Sequence, residues 1–163
     1  MSKINYQEEM HCGLGRTYML SFVLVTLIIG LALFIAVNTA RAEVINLYTI
    51  AKIESNHNPL AINHLTNCIG LHQISAICLK EFNQYNHKQY SMNDMFNASK
   101  NTEVASWYLN KRIPQMLRAY GKDVNINNIL HAYNAGISKV VKGIMPKETK
   151  NYILKYRELT KND

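Results

Sequence analysis

A run of 19 residues without one charged side chain, Met19 to Val37 (MLSFVLVTLIIGLALFIAV), divides this chain in two. Its length is close to the roughly 20 residues that span a bilayer. It exceeds the roughly 7–15 apolar residues of an ordinary signal peptide. Ala40-Arg41-Ala42 nevertheless has the small-x-small form of a signal-peptidase site, just before Glu43. Both readings stay open: a cleaved export signal or an uncleaved anchor. Lys3 and Arg16 precede the run and only Arg41 soon follows it, which favours a cytoplasmic N-terminus. Either way, residues 1–42 are expected to serve export or anchoring. Residues 43–163 are expected to form a domain outside the cytoplasm, periplasmic or held at the inner membrane.

That second part is long enough to bury a core, and its apolar pattern is helical. Val44, Leu47, Tyr48 and Ala51 fall on one stripe, and Glu54 lies three residues further along it. Ser55-Asn56-His57-Asn58-Pro59 then ends the helix. Residues 63–69 read as a loop, and Gly70-Leu71 is expected to open a second helix through Leu71, Ile74, Cys78 and Phe82. Residues 84–90 read as polar loop. A third helix is expected from about Ser99, broken or kinked at Pro114, and Gly121 ends the next piece. Ile126, Ile129, Leu130 and Tyr133 form a fourth stripe, closed by Gly136. Pro146 sits near the start of a last helix with Thr149, Tyr152, Ile153 and Tyr156 on one side. Alternating strand patterns are nearly absent. The expected class is therefore mainly α, one domain preceded by one hydrophobic helix.

The formal charge of +7 suits an acidic partner. The basic residues are scattered and no base-reading motif is present, so no nucleic-acid partner is expected. Cys68 and Cys78 would meet an oxidising compartment, as a disulfide or as two free thiols. No cysteine or histidine set has metal-site spacing, so neither a metal nor another cofactor is expected.

A carboxylate on an apolar stripe is costly to bury in its charged form. Core packing and the negative end of a helix both raise its pKa. A carboxyl kept protonated near neutral pH is what a general acid requires. A Glu that snorkels at a helix end would have the same local sequence. The motifs that follow separate the two: ESNHNPLA at 54–61, GLHQIS at 70–75, ILHAYNAG at 129–136 and PKETKNYILKY at 146–156. In this order they resemble the soluble-type lytic transglycosylases (SLT), which have a goose-lysozyme-like fold, over Leu47 to about Leu159.

The resemblance implies a lysozyme-like single domain that cleaves peptidoglycan between N-acetylmuramic acid and N-acetylglucosamine, with Glu54 as acid and base. It implies that Ser55 positions substrate or acid. Gly70, Leu71 and Gln73 would line the cleft at a helix start, with Gln73 reaching a sugar. Tyr133 would hydrogen-bond and orient the Glu54 carboxyl, Asn134 would contact sugar or shape the turn, and Tyr152 would form another wall. Blander roles also suit these residues: a turn cap for Ser55, a solvated position for Gln73, core packing for Tyr133 and Tyr152. His72 stands where the family usually has Met, and either makes the cleft floor more polar or lies exposed. No second carboxylate has an evident catalytic role, which fits a single-carboxylate route to a 1,6-anhydro product. A hydrolytic muramidase and a non-catalytic wall-binding assembly protein are the alternatives. The expected partner is the glycan strand, with the membrane through residues 1–42 if uncleaved. A secretion, conjugation or pilus machine, or a phage, are the settings such an enzyme serves.

Overall fold

The computed structural model describes residues 25–27 and 44–161. The apolar run at 19–37, its small-x-small site and Cys12 lie outside the described residues, 25–27 excepted. No helix among the described residues is long and apolar enough to cross a membrane. The fold below is that of the unit Glu43–Asp163.

Helix α1 is Leu47–Ser55. Asn46 caps its start, accepting from the Thr49 N–H at 3.1 Å. Its end is abrupt because Asn56 and His57 are both left-handed, at φ 53° and 61°. Their N–H groups return to Lys52 O and Ala51 O, satisfying the last carbonyls. A two-residue hairpin follows, β1 (Ile62–Asn63) against β2 (Cys68–Ile69), antiparallel with Ile62 opposite Ile69 and Asn63 opposite Cys68.

Helix α2 is Ala76–Asn86, not a helix opened at Gly70. Ser75 is its cap, accepting from the Cys78 N–H at 3.2 Å. Residues 70–74 turn instead, with Gly70 at φ 81° and Gln73 at φ 51°. Gly70 is obligatory because a Cβ there would collide with Met95 O and Asn101 Nδ2. A 3-10 turn, Met92–Phe96, leads into α3, Ala98–Trp107. A π-helical turn, Tyr108–Arg112, then precedes α4, Ile113–Ala119, with Pro114 in its first turn. Pro114 has no N–H to give to the preceding turn, so the ladder widens there rather than running straight on. Helices α5 (Ile126–Ala135), α6 (Ile137–Val141) and α7 (Lys147–Thr160) complete the unit.

Two buried clusters hold these elements. One joins Ile50 of α1, Ile113 and Leu117 of α4, Leu130 of α5 and Ile153 of α7. The other joins Ile74 to Leu79 and Phe82 of α2, Met95, and Val104 of α3. Tyr108 packs against both.

Candidate active site

Helices α1, α5 and α7 meet where the last turn of α1 delivers Glu54. A cleft of about 530 Å³ opens there. Glu54, Gln73, Tyr133 and Asn134 line it, and so does Glu148 in the first turn of α7. The hairpin contributes Asn63, Thr66 and Cys68, while α2 contributes Cys78 and Glu81. The only charged side chains on this lining are carboxylates, so the chain's positive surplus lies elsewhere.

Glu54 is where the physics concentrates. Burial raises its pKa from the ordinary 4.5 to about 7, the Tyr152 hydrogen bond lowers it, and the charge of Glu148 raises it. Tyr152 reaches it because Thr149, Tyr152 and Tyr156 share one face of α7. Its hydroxyl donates to Glu54 Oε1 at 2.7 Å. Either side, Thr149 Oγ1 donates to Asn134 Oδ1 at 2.7 Å and the Asn46 N–H donates to the Tyr156 hydroxyl at 2.8 Å. One helix face thus ties down the acid, the end of α5 and the start of α1.

The phenol that hydrogen-bonds the Glu54 carboxyl is therefore Tyr152, where Tyr133 was expected. The Tyr133 hydroxyl donates to His72 O at 2.7 Å and braces the cleft floor. Burial and the nearby Glu54 charge hold both phenols well above a pKa of 10, so both remain donors. Oε1 accepts from Tyr152, which leaves Oε2 as the carboxyl oxygen outside that bond.

The other expected residues fall into two groups. Gln73 and Asn134 line the cleft, but each also has work in the fold: Gln73 Nε2 donates to Gly70 O at 3.0 Å, and Asn134 accepts from Thr149. Ser55, Gly70, Leu71 and Tyr152 do not line it. Ser55 Oγ donates to Leu71 O at 2.8 Å, clipping the end of α1 to the turn beneath it. Leu71 supplies that carbonyl, and Gly70 gives way to the backbone behind it.

His72 is neither exposed nor on the cleft surface; it is buried at 1% exposure. Its ring nitrogens meet Asn101 Oδ1 at 3.1 Å and Leu47 O at 3.2 Å, and burial lowers its pKa. Asn101, fully buried, is the residue that sequence reasoning missed. Its Oδ1 accepts from the His72 N–H at 2.9 Å, and its Nδ2 donates to Ile69 O at 3.0 Å and Met95 O at 2.9 Å. The available signal was an amide three and four residues before Val104 and Ala105, on the inward stripe of α3. Cys68 and Cys78 are both free thiols, and burial drives Cys78 far above the ordinary thiol range. Among the described residues no group of three or more His, Cys, Asp or Glu could hold a metal ion.

A small helical domain with a buried, phenol-bound carboxyl of raised pKa on an open cleft has the general acid that glycan cleavage requires. The profile of the Transglycosylase SLT domain family matches residues 34–155, about three-quarters of the chain. The chain belongs to that family, and its function is peptidoglycan cleavage of the lytic transglycosylase type. Comparison with the curated proteins and with the solved structures gives no match.

Proposed function

We propose that this protein breaks the bond between N-acetylmuramic acid and N-acetylglucosamine without consuming water, leaving a 1,6-anhydro end. The observation that carries this reading is the Tyr152-bound Glu54 carboxyl on the cleft, whose pKa of about 7 lets one residue serve in both protonation states. In the first step Glu54 Oε2 gives its proton to the bridging oxygen as the C1–O bond breaks. The substrate's own acetamido group stabilises the cation that develops at C1. Glu54, now ionised, takes the proton of the muramic C6 hydroxyl, and O6 closes onto C1. Tyr152 stabilises the carboxylate in the interval, because its hydrogen bond is stronger to the charged form.

Glu148 favours a second reading. It lines the same cleft and acts electrostatically on Glu54. A second carboxylate could activate water and give a hydrolytic muramidase with a reducing end. Mass analysis of muropeptides released from sacculi by the full chain separates the two, since the anhydro end is lighter by one water. Anhydro ends from the parent, with none from Glu54→Gln, support the proposal; reducing ends from the parent overturn it.

Export rests on the apolar run at 19–37, and the cleavage chemistry suits it, since the polymer lies outside the cytoplasm. Local opening of the wall for an envelope machine or a phage is the setting that fits a catalytic domain this small.

A further inference from the structure

Positive charge is dense in the last part of the domain, over α6, the loop after it and α7. Residues 137–161 carry seven Lys and Arg against two Glu. The ion pairs of the described residues are Lys88 with Glu103, Lys100 with Asp94 and Arg112 with Glu81, so none of those seven cations is in one.

A groove of about 510 Å³ lies among them, between the first turn of α5, the loop before α7 and α7 itself. Its lining is Asn127, Met145, Lys150, Ile153, Leu154 and Arg157. Four of these recur at positions 150, 153, 154 and 157, one helical stripe. Ile153 is its floor, 8% exposed and part of the core. Met145 and Leu154, each 47% exposed, are its walls. The shape is held in advance. His131 of α5 contacts Ile144 O at 3.0 Å, and Arg157 Nη2 donates to Asn127 Oδ1 at 2.7 Å across the groove. Arg157 retains further N–H donors for a carboxylate.

We propose that this groove docks a short, acidic, amphipathic helix belonging to another protein. Lys150 and Arg157 stand seven residues apart, about 10 Å along the axis or two helical turns. An occupant of two turns would set apolar side chains at i and i+3 or i+4 against Met145, Ile153 and Leu154, with a carboxylate at each end. A bilayer suits the groove less well. Interfacial insertion needs a broad set of protruding apolar side chains, and of this lining only Met145 and Leu154 stand out, on either side of the recessed Ile153. A glycan suits it less well too, since Asn127 is the one uncharged polar side chain of the lining. Thr149, Tyr152 and Tyr156 lie beyond Ile153 on the buried side of the same helix, and groove and cleft share no lining residue. An occupied groove therefore leaves the cleft open to glycan, so docking places the enzyme without blocking it.

The test measures binding to the full chain, in non-ionic detergent, by fluorescence anisotropy. The probes are a labelled 14-residue helical peptide of Leu and Glu at amphipathic spacing and the same peptide with Lys for Glu. Vesicles of anionic phospholipid serve as a third probe, by co-sedimentation of detergent-free protein. The expected result is saturable binding of the Glu peptide that weakens with salt, no binding of the Lys peptide, and at least tenfold weaker binding by both the Lys150→Glu/Arg157→Glu variant and Leu154→Glu. Sacculus clearing by these variants should equal the parent's, which also shows that they fold. Equal affinity for both peptides, no binding, or undiminished binding by the variants overturns the proposal. So does vesicle binding, lost in the variants, with no peptide binding.

Discussion

Tyr152 and Glu54, 98 residues apart in sequence, are joined by a 2.7 Å hydrogen bond from phenol to carboxyl oxygen. It links the last helix to the first, and its partner sits at a charge-sensitive position. The bond favours ionised Glu54, while burial and Glu148 favour the protonated form.

Tyr152→Phe should therefore raise the Glu54 pKa above 7. In a pH–rate profile the alkaline limb, where the acid loses its proton, should move to higher pH. The maximal rate should fall about 10- to 100-fold, the scale of one hydrogen bond to a charged group. Tyr133→Phe should leave that limb close to the parent's, because its hydroxyl is bound to His72 O. Its cost should appear in thermal stability, about 1 kcal/mol.

Glu148→Gln should move the same limb the other way. Removing its negative charge relieves the repulsion that raises Glu54. Opposite shifts in Tyr152→Phe and Glu148→Gln, measured under one set of conditions, check the electrostatic picture without reference to absolute rate.

Stability should carry the same signature. The folded carboxyl has its pKa raised from 4.5 to about 7, so the native state binds the proton more tightly than the unfolded chain. Glu54 then costs stability as pH rises from about 4.5 through 7, by up to about 3 kcal/mol. Glu54→Gln, which keeps the shape and loses the titration, should gain more over the parent at pH 8 than at pH 4.5 in denaturant melts.

His72 works with the other sign. Its folded pKa lies below 6.5, so the unfolded chain binds the proton more tightly and stability falls as pH drops below that value. His72→Met should flatten this acid limb of the stability curve. Asn101→Ala, by contrast, should cost about 3 kcal/mol at every pH, since it leaves the buried His72 N–H without its acceptor and takes the Asn101 donor from the Met95 carbonyl, while Ile69 O keeps the Ile74 N–H.

Much of this was legible in the sequence, for identifiable reasons. The helix that ends at Glu54, the turn formers behind it, and the periodicity of α5 and α7 are local patterns, and local patterns fixed these elements; the inward face of α1 was misplaced, since Val44 and Tyr48 are 80% and 68% exposed while Ile45, Thr49 and Ile50 are buried beside Ala51. The hairpin was not legible, because two-residue strands leave no alternation to read. The start of α2 was misread at Gly70-Leu71 although Ser75, a good N-cap, stands just before Ala76. Gly70 serves close backbone packing against Met95 and Asn101. Which phenol meets the acid could not be read at all. Tyr133 and Tyr152 each lie on an inward stripe, and only the crossing of α1, α5 and α7 decides between them.

The central claim is that Glu54 holds its proton near neutral pH, and direct titration of its carboxyl tests that most directly. The full chain, labelled with carbon-13 at the Glu side-chain carboxyls, gives one resonance per residue, and Glu54→Gln identifies the relevant one by its loss. A midpoint near 7, rising in Tyr152→Phe, is the expected result. A midpoint near the ordinary 4.5, unmoved by the loss of the phenol, contradicts it.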